Sequence, residues 1–241
     1  MQPQNHRRAE IMKAGDIMTI DVTTVGPSAT VREVANLLLK RRISGVPVVD
    51  SDNDVLGIIS EGDLMRRVKS NTLARGSWWL GLFGTDKKLQ EQFIKSHGRT
   101  AEQVMTRELV TVSPDTPVGD VASLLEKHSI KRAPVIENGK LVGIVSRANL
   151  LHALASCTAT TESIQPNDRS VRESVVNALS NSKSLVGASI NPIVNNGNVE
   201  LWGYVQDETE ERAAIVVTQE VPGVQKVQSK LGRSSGWWYG I

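Results

Sequence analysis

Two stretches of the chain place a hydroxyl and a hydrogen-bonding side chain three residues apart, where a β-rich run gives way to a helix. In Gly57-Ile58-Ile59-Ser60-Glu61-Gly62-Asp63 the run ends on small residues, Ser60 follows, and the Asp63 carboxylate lies at the start of the next helix. An acid so placed can accept both hydroxyls of a ribose, as the acidic residue of dinucleotide-binding folds does. A helix N-terminus beside a free hydroxyl also suits a phosphate oxygen. The spacing recurs at Gly143, Ser146 and Asn149, with an amide in place of the acid. A plainer reading stands beside this one: Ser60 or Asp63 is an N-cap, worth about 1 kcal/mol.

Other chemistries find less support. His6, His97, His128 and His152 are dispersed without metal-ligand spacing, and Cys157 reads as an incidental thiol in a linker. There is no phosphate-binding Walker loop and no G-x-G-x-x-G. The acidic residues fall mostly in caps and on exposed helix faces, with no acid–base pair among them. Binding rather than catalysis is expected, with no metal and no covalent cofactor.

The totals agree with a binding protein of ordinary composition. At 241 residues the chain is long enough for two or more domains of about 100–150 residues. A net charge of +2 gives no bulk case for nucleic acid, so no nucleic-acid partner is expected. One cysteine excludes an internal disulfide framework and fits a reducing compartment. No apolar stretch approaches the roughly 18 residues of a membrane span, and the basic start lacks a secretory core. A cytoplasmic location is expected.

The elements that must position Ser60 and Ser146 occur twice. Residues 18–50 overlie 105–137 without a gap, pairing Met18 with Met105, Thr19 with Thr106, Pro27 with Pro114, Leu38 with Leu125 and Pro47 with Pro134. A one-residue deletion in the turn then aligns LGIISEGDL with VGIVSRANL. Each copy reads β-α-β-β-α. An extended stretch (VTTV, LVTV) leads to a Pro turn, and a helix with Val31, Val34, Ala35 and Leu38 at helical spacing follows. Asp115 or Thr116 is expected to cap that helix in the second copy. Two β-branched runs come next, joined in the second copy by the hairpin signal Asn138-Gly139. One copy buries too little surface to be comfortable alone, so the two are expected to pack together.

The doubled pattern M-T…TV-P…LL…I…PV…GI-S resembles the cystathionine β-synthase (CBS) domain, which occurs as intramolecular pairs called Bateman modules. The resemblance places repeats at 14–68 and 101–156. It implies that each ligand cleft combines the G-x-x-S-x-x-D end of one repeat with the early strand of the other and the residues before its PV. One cleft would join Ser60 and Asp63 to Val110, Lys131 and Arg132, so a ribose acid faces two cations suited to phosphate. The other would join Ser146 and Asn149 to Thr23, Ser44 and Gly45, with Arg147 as partial compensation for the missing cations. The first is expected to be the competent adenosine-phosphate site and the second weak or empty. The ligand class implied is an adenine nucleotide (AMP, ADP or ATP), with NAD and S-adenosylmethionine also open. A homodimer through the paired repeats is a further implication.

After a small, polar linker (157–167) a different pattern begins. Ser170-x-x-Glu173 reads as a capping box ahead of Val171, Val175, Val176 and Leu179. Leu185–Val194 and Asn198–Val205 flank Asn195-Asn196-Gly197 as a hairpin. Asp207-x-x-Glu210 caps a helix carrying Ala213, Ala214, Val216 and Val217, and KVQSKL closes as a strand. The α-β-β-α-β order is an open α+β sandwich. VELWGYV and VPGVQKVQSKL resemble the BON domain over 168–232, a family linked to phospholipid or envelope surfaces. A lipid or protein surface is the partner this implies. The fold class is therefore α+β throughout, two repeats plus a small BON-like domain. Two WW doublets remain: Trp78–Trp79 in SWWLGLFG, within the 69–100 connection, and Trp237–Trp238 in the 233–241 tail. The octet is expected to pack on the repeats' own surface or in a dimer interface, with docking of the BON-like domain and a membrane anchor as alternatives.

Overall fold

The computed structural model describes residues 12–66, 99–156, 166–185 and 188–233. Both WW doublets, Cys157 and TDKKLQEQFIKSHG (85–98), whose pattern predicts a capped helix, lie outside the described residues. The chain divides into two compact units. One is drawn from Val22–Val110 with Asn138–Leu141, the other from Met1–Asp21, Thr111–Glu137 and Val142–Ile241.

In the first of these, Thr30 opens the helix Val31–Arg41. Its Oγ1 accepts the Glu33 amide at 3.2 Å while the Glu33 carboxylate accepts the Thr30 amide at 2.7 Å. This reciprocal cap satisfies donors the helix cannot pair itself. Val34 and Leu38, one turn apart, face inward onto strands β1 (Gly45–Val49) and β2 (Val55–Ser60). The strands are antiparallel, with Gly45 opposite Ser60 and Val48 opposite Gly57. The VTTV stretch adds one parallel bridge, Val25 to Val48, rather than a full strand.

This core is closed by Ala101, Val104 and Met105, which begin the other copy. The Ala101 amide donates to the Ala29 carbonyl at 2.7 Å, and Ile58 and Thr106 exchange both backbone bonds at 3.0 and 2.9 Å. The second unit is built the same way from the opposite exchange. Ala14, Ile17 and Met18 enter a core with Val112, Val121, Leu125, Ala133, Val135, Val145 and Ala153. The amides of Ala14 and Gly15 donate to Thr116 and Pro114, both at 2.8 Å, and Thr19 exchanges both bonds with Ile144 at 2.9 Å. The head of each copy therefore completes the other copy's core.

Glycine makes the insertion possible. A Cβ on Gly57 would lie 2.6 Å from Met105 Sδ and 2.9 Å from the Thr106 carbonyl, and one on Gly143 would meet Met18 Sδ still more closely. Neither Asp115 nor Thr116 caps the helix Val118–Lys127, contrary to the reading from sequence. Pro117 stands at its start without a side-chain cap. Asp115 is instead taken by Lys13 at 2.7 Å, and Thr116 Oγ1 accepts the Ser113 amide at 3.0 Å to close the Pro turn. Strands β3 (Arg132–Glu137) and β4 (Lys140–Ser146) follow, joined through Asn138 and Gly139, both at positive φ as a type I′ turn requires.

The C-terminal segment has the expected α-β-β-α-β order: helix Pro166–Asn181, β5 (Ser189–Asn195), β6 (Asn198–Val205), helix Glu208–Gln219 and β7 (Lys226–Arg233). β6 lies between an antiparallel β5 and a parallel β7. One sequence expectation needs correction. The Ser170–Glu173 capping box is not the helix start: the helix begins at Pro166, a residue suited to the first position because its missing N–H has no partner there. Val216 is 53% exposed. The inward face of its helix runs instead through Glu210, Ala214 and Thr218, four residues apart, and the Thr218 hydroxyl is absorbed by the Ala214 carbonyl at 2.8 Å. Asp207 does cap this helix, accepting the Glu210 amide at 2.9 Å. Gly203 has φ +131°, and a Cβ there would run into the Ser189 carbonyl.

Gly57→Ala should destabilise the protein by about 1–3 kcal/mol, the usual cost of overpacking, because the Thr106 carbonyl is backbone and cannot swing aside. Urea unfolding at unchanged m-value measures this; a stability within error of wild type would contradict it.

Candidate functional site

The antiparallel pairing of β1 and β2 brings Ser44, Gly45, Ser60 and Asp63 to one end of the hairpin. There the Glu61 amide donates to the Ser44 carbonyl at 3.1 Å as residues 61–66 turn into a helix. Both the amide and the hydroxyl of Ser60 donate to Asp63 Oδ2, at 2.9 and 2.7 Å. Asp63 Oδ1 accepts from the Arg66 guanidinium and, at 3.4 Å, from the Thr106 hydroxyl. The carboxylate is 4% exposed, and its partners on that oxygen are side chains. Thr23 and Val110, both half-buried, belong to the same unit.

The second unit carries the equivalent arrangement. Ser146 donates its amide and hydroxyl to Asn149 Oδ1 at 2.8 and 2.6 Å. The Arg147 amide donates to the Lys131 carbonyl at 3.0 Å, and its Nε to the Ile130 carbonyl at 3.1 Å. Lys131, Arg132, Ser146, Arg147 and Asn149 are thus assembled within one unit, with Lys131 and Arg147 exposed. Inside each unit the hairpin groups a copy's own pre-PV residues with its own S-x-x-D or S-x-x-N end. The reading from sequence pairs each such end with residues of the other copy.

Asp63 and Asn149 differ in what they do to the inserted head. Asp63 accepts from the Thr106 hydroxyl. Asn149 Nδ2 instead donates, to the Thr19 hydroxyl at 3.4 Å and to the Ile17 carbonyl at 3.0 Å. A carboxylate could make neither of these bonds as donor. The amide that reads from sequence as a weakened ribose ligand therefore also tethers the head segment. Thr19 and Thr106 are partners that sequence reasoning misses, although the repeat alignment sets them opposite each other.

The C-terminal segment reaches the Ile17 carbonyl as well. Asn191 Nδ2 donates to the Ile17 carbonyl at 3.0 Å, and Arg172 donates to the carbonyls of Gly15 at 3.0 Å, of Pro192 at 3.0 Å and of Met18. Arg169 Nε pairs with the buried Asp16 at 2.7 Å. Burial lowers the Arg172 pKa to about 10, against the pull of Asp16 and Glu173, so the guanidinium stays charged at neutral pH. Nearby, the His152 ring stacks on Trp202 with centroids 4.6 Å apart, and Trp202 Nε1 donates to Ser156 Oγ and Glu200 at 3.2 and 3.1 Å. The buried His152 Nδ1 has no hydrogen-bond partner, and burial lowers the pKa of this ring.

Two exchanged β-α-β-β-α units, each ending a hairpin on a buried S-x-x-D or S-x-x-N, define a class: the chain belongs to the CBS-domain family. The CBS domain matches residues 14–70 and 101–156, and the BON domain matches 167–231. Among its relatives, protein MJ1426 of Methanocaldococcus jannaschii is 33% identical over 156 residues, covering 60% of this chain and 92% of that one. The chloroplast CBS domain-containing protein CBSX1 of Arabidopsis thaliana is 31% identical over 154 residues, covering 61% of this chain and 65% of its own length. The crystal structure of CBSX2 in complex with AMP is similar at 29% identity and a TM-score of 0.53, covering 61% of this chain and 98% of that one. Among the described residues no helix is long and apolar enough to cross a membrane.

Two outcomes test the local chemistry. Asn149→Asp should cost about 1–3 kcal/mol at pH 7, since it sets a buried carboxylate oxygen against the Ile17 carbonyl. Chemical denaturation reads this, and an unchanged midpoint would remove the tether. For His152 the folded-state pKa lies below the ordinary 6.5. Its contribution is therefore full above the unfolded-state value and is lost as pH falls towards the folded one. His152→Phe should flatten the fall in melting temperature between about pH 7 and pH 5 that wild type shows from this group; parallel curves would contradict it.

Proposed function

We propose that this protein is a non-enzymatic sensor that binds an adenosine-containing ligand, of the AMP, ADP or ATP class, and passes its occupancy to the BON domain or to a partner. The reading rests on one observation above others: a buried carboxylate, Asp63, at a strand-to-helix junction of a CBS pair similar to the AMP-bound CBSX2. In this reading Asp63 takes the ribose hydroxyls, exchanging the Ser60, Thr106 and Arg66 side chains for them. Ser60 and the backbone at Val110 line the site. The Ser146–Asn149 end, with Arg147, forms the weaker site because its amide already serves the head segment. Homodimerisation through the CBS pair, a cytoplasmic setting, and a lipid or protein surface for the BON domain belong to the same proposal.

Isothermal titration of the full chain with AMP, ADP, ATP, NAD and S-adenosylmethionine tests it. At least one should bind, and Asp63→Ala should weaken that binding about tenfold or more, the scale of losing a charge-assisted pair of hydrogen bonds. Binding unchanged by Asp63→Ala would reject the site. Liposome co-sedimentation that proceeds regardless of nucleotide would instead favour a surface-binding adaptor with the CBS pair as its scaffold.

A further inference from the structure

We infer that the BON domain is an intramolecular latch on the second CBS copy, and that its docking opposes adenosyl-ligand binding at Asn149. The latch rests on the ligand reading above and specifies how that ligand would be read out.

The latch centres on one backbone carbonyl. Ile17 accepts Asn149 Nδ2 from the CBS copy and Asn191 Nδ2 from the BON sheet, each at 3.0 Å. Asn191 is oriented by its neighbour, because its Oδ1 accepts from Arg172 at 3.1 Å and the amide nitrogen is thereby turned towards Ile17. Arg172 also takes the carbonyls of Gly15 and Met18 on either side. One residue further back, Arg169 holds Asp16, whose other oxygen accepts the Lys13 amide at 2.7 Å. The helix these contacts enclose, Ala14–Ile17, has four residues and cannot stand on its own hydrogen bonds. Beyond the backbone bonds of Ala14 and Gly15 to Thr116 and Pro114, side chains fix its position from two sides, Asn149 on one and the BON residues on the other.

A ribose at Asn149 competes for that amide. Binding requires Nδ2 to leave the Ile17 carbonyl and the Thr19 hydroxyl, and the head segment to adjust to the loss. While Asn191 and Arg172 hold the carbonyls of Gly15, Ile17 and Met18, it cannot follow. Ligand and latch therefore hold the same element in different arrangements, and each weakens the other by the same factor. The Asp63 end does not share this carbonyl, which is why the two copies respond differently.

The experiment uses the full chain in an Asp63→Ala background, so that AMP reports on the Asn149 end. Isothermal titration with AMP compares this background with added Asn191→Ala, and with Arg172→Met as the stronger variant; circular dichroism checks folding, and Asn191→Ala decides if Arg172→Met does not fold. Release of the latch should raise AMP affinity about fivefold or more, within the usual range of coupling between sites. In the unlatched direction, AMP added to the Asp63→Ala chain should speed amide exchange in residues 189–195. Unchanged or weaker AMP binding in a folded Asn191→Ala variant overturns the latch while leaving binding at Asp63 intact in wild type. Failure of AMP to bind any form, wild type included, overturns the latch, whereas the ligand reading falls only if ADP, ATP, NAD and S-adenosylmethionine fail as well.

Discussion

A methionine lying against the Cα of a strand glycine, Met105 on Gly57 and Met18 on Gly143, is the contact on which the architecture turns. It lets a short head segment leave its own copy and seal the other, bringing with it Ala101 and Val104 in one case and Ala14 and Ile17 in the other. Neither contiguous copy owns a complete core. A segment of some 50 residues would bury too little surface alone, and the exchange enlarges each core with side chains from the other. The pairing of the copies is thus built into folding rather than added after it.

The same insertion determines the chemistry at the hairpin ends. Asp63 and Asn149, in the first turn of their helices, hold the Ser60 and Ser146 amides at the helix start, and both also touch the inserted threonine. Cap and binding roles are therefore not alternatives for these residues: the side chain that secures the helix start is the one aimed at the polar groups of the head. The change from carboxylate to amide reverses the direction of the bond to threonine and adds one to the Ile17 carbonyl. On that side Arg172 is buried with carbonyl partners, which is what allows a guanidinium to remain charged inside. The BON domain thereby becomes part of the second unit's structure.

Much of the fold is legible in the sequence because it depends on local patterns. The repeat register follows from Met18/Met105, Pro27/Pro114 and Gly57/Gly143 standing in line, and the turns at Asn138-Gly139 and Asn196-Gly197 from residues that tolerate positive φ. Asp207 and its partner Glu210 are equally readable. Local reasoning fails where a distant segment intervenes. Asp115 reads as a cap but is claimed by Lys13, and no apolar pattern shows that the Glu208–Gln219 helix turns Thr218 inward with its hydroxyl satisfied by its own backbone. Thr30 and Glu33 form a capping box, and their T-x-x-E spacing is a local signal that sequence reasoning passes over.

By itself, then, the sequence determined the element order, the doubling of one unit, the BON-like third segment and the positions of Ser60, Asp63, Ser146 and Asn149. These depend on periodicity, turn residues and spacing, all properties of neighbours along the chain. Only the tertiary structure decided which copy each head segment completes, why Gly57 and Gly143 must lack a side chain, and that Asn149 and Asn191 share the Ile17 carbonyl. Those are meetings of residues far apart in the chain or of atoms on the backbone, and no pattern of side-chain types records which backbone group will be the one left to bond.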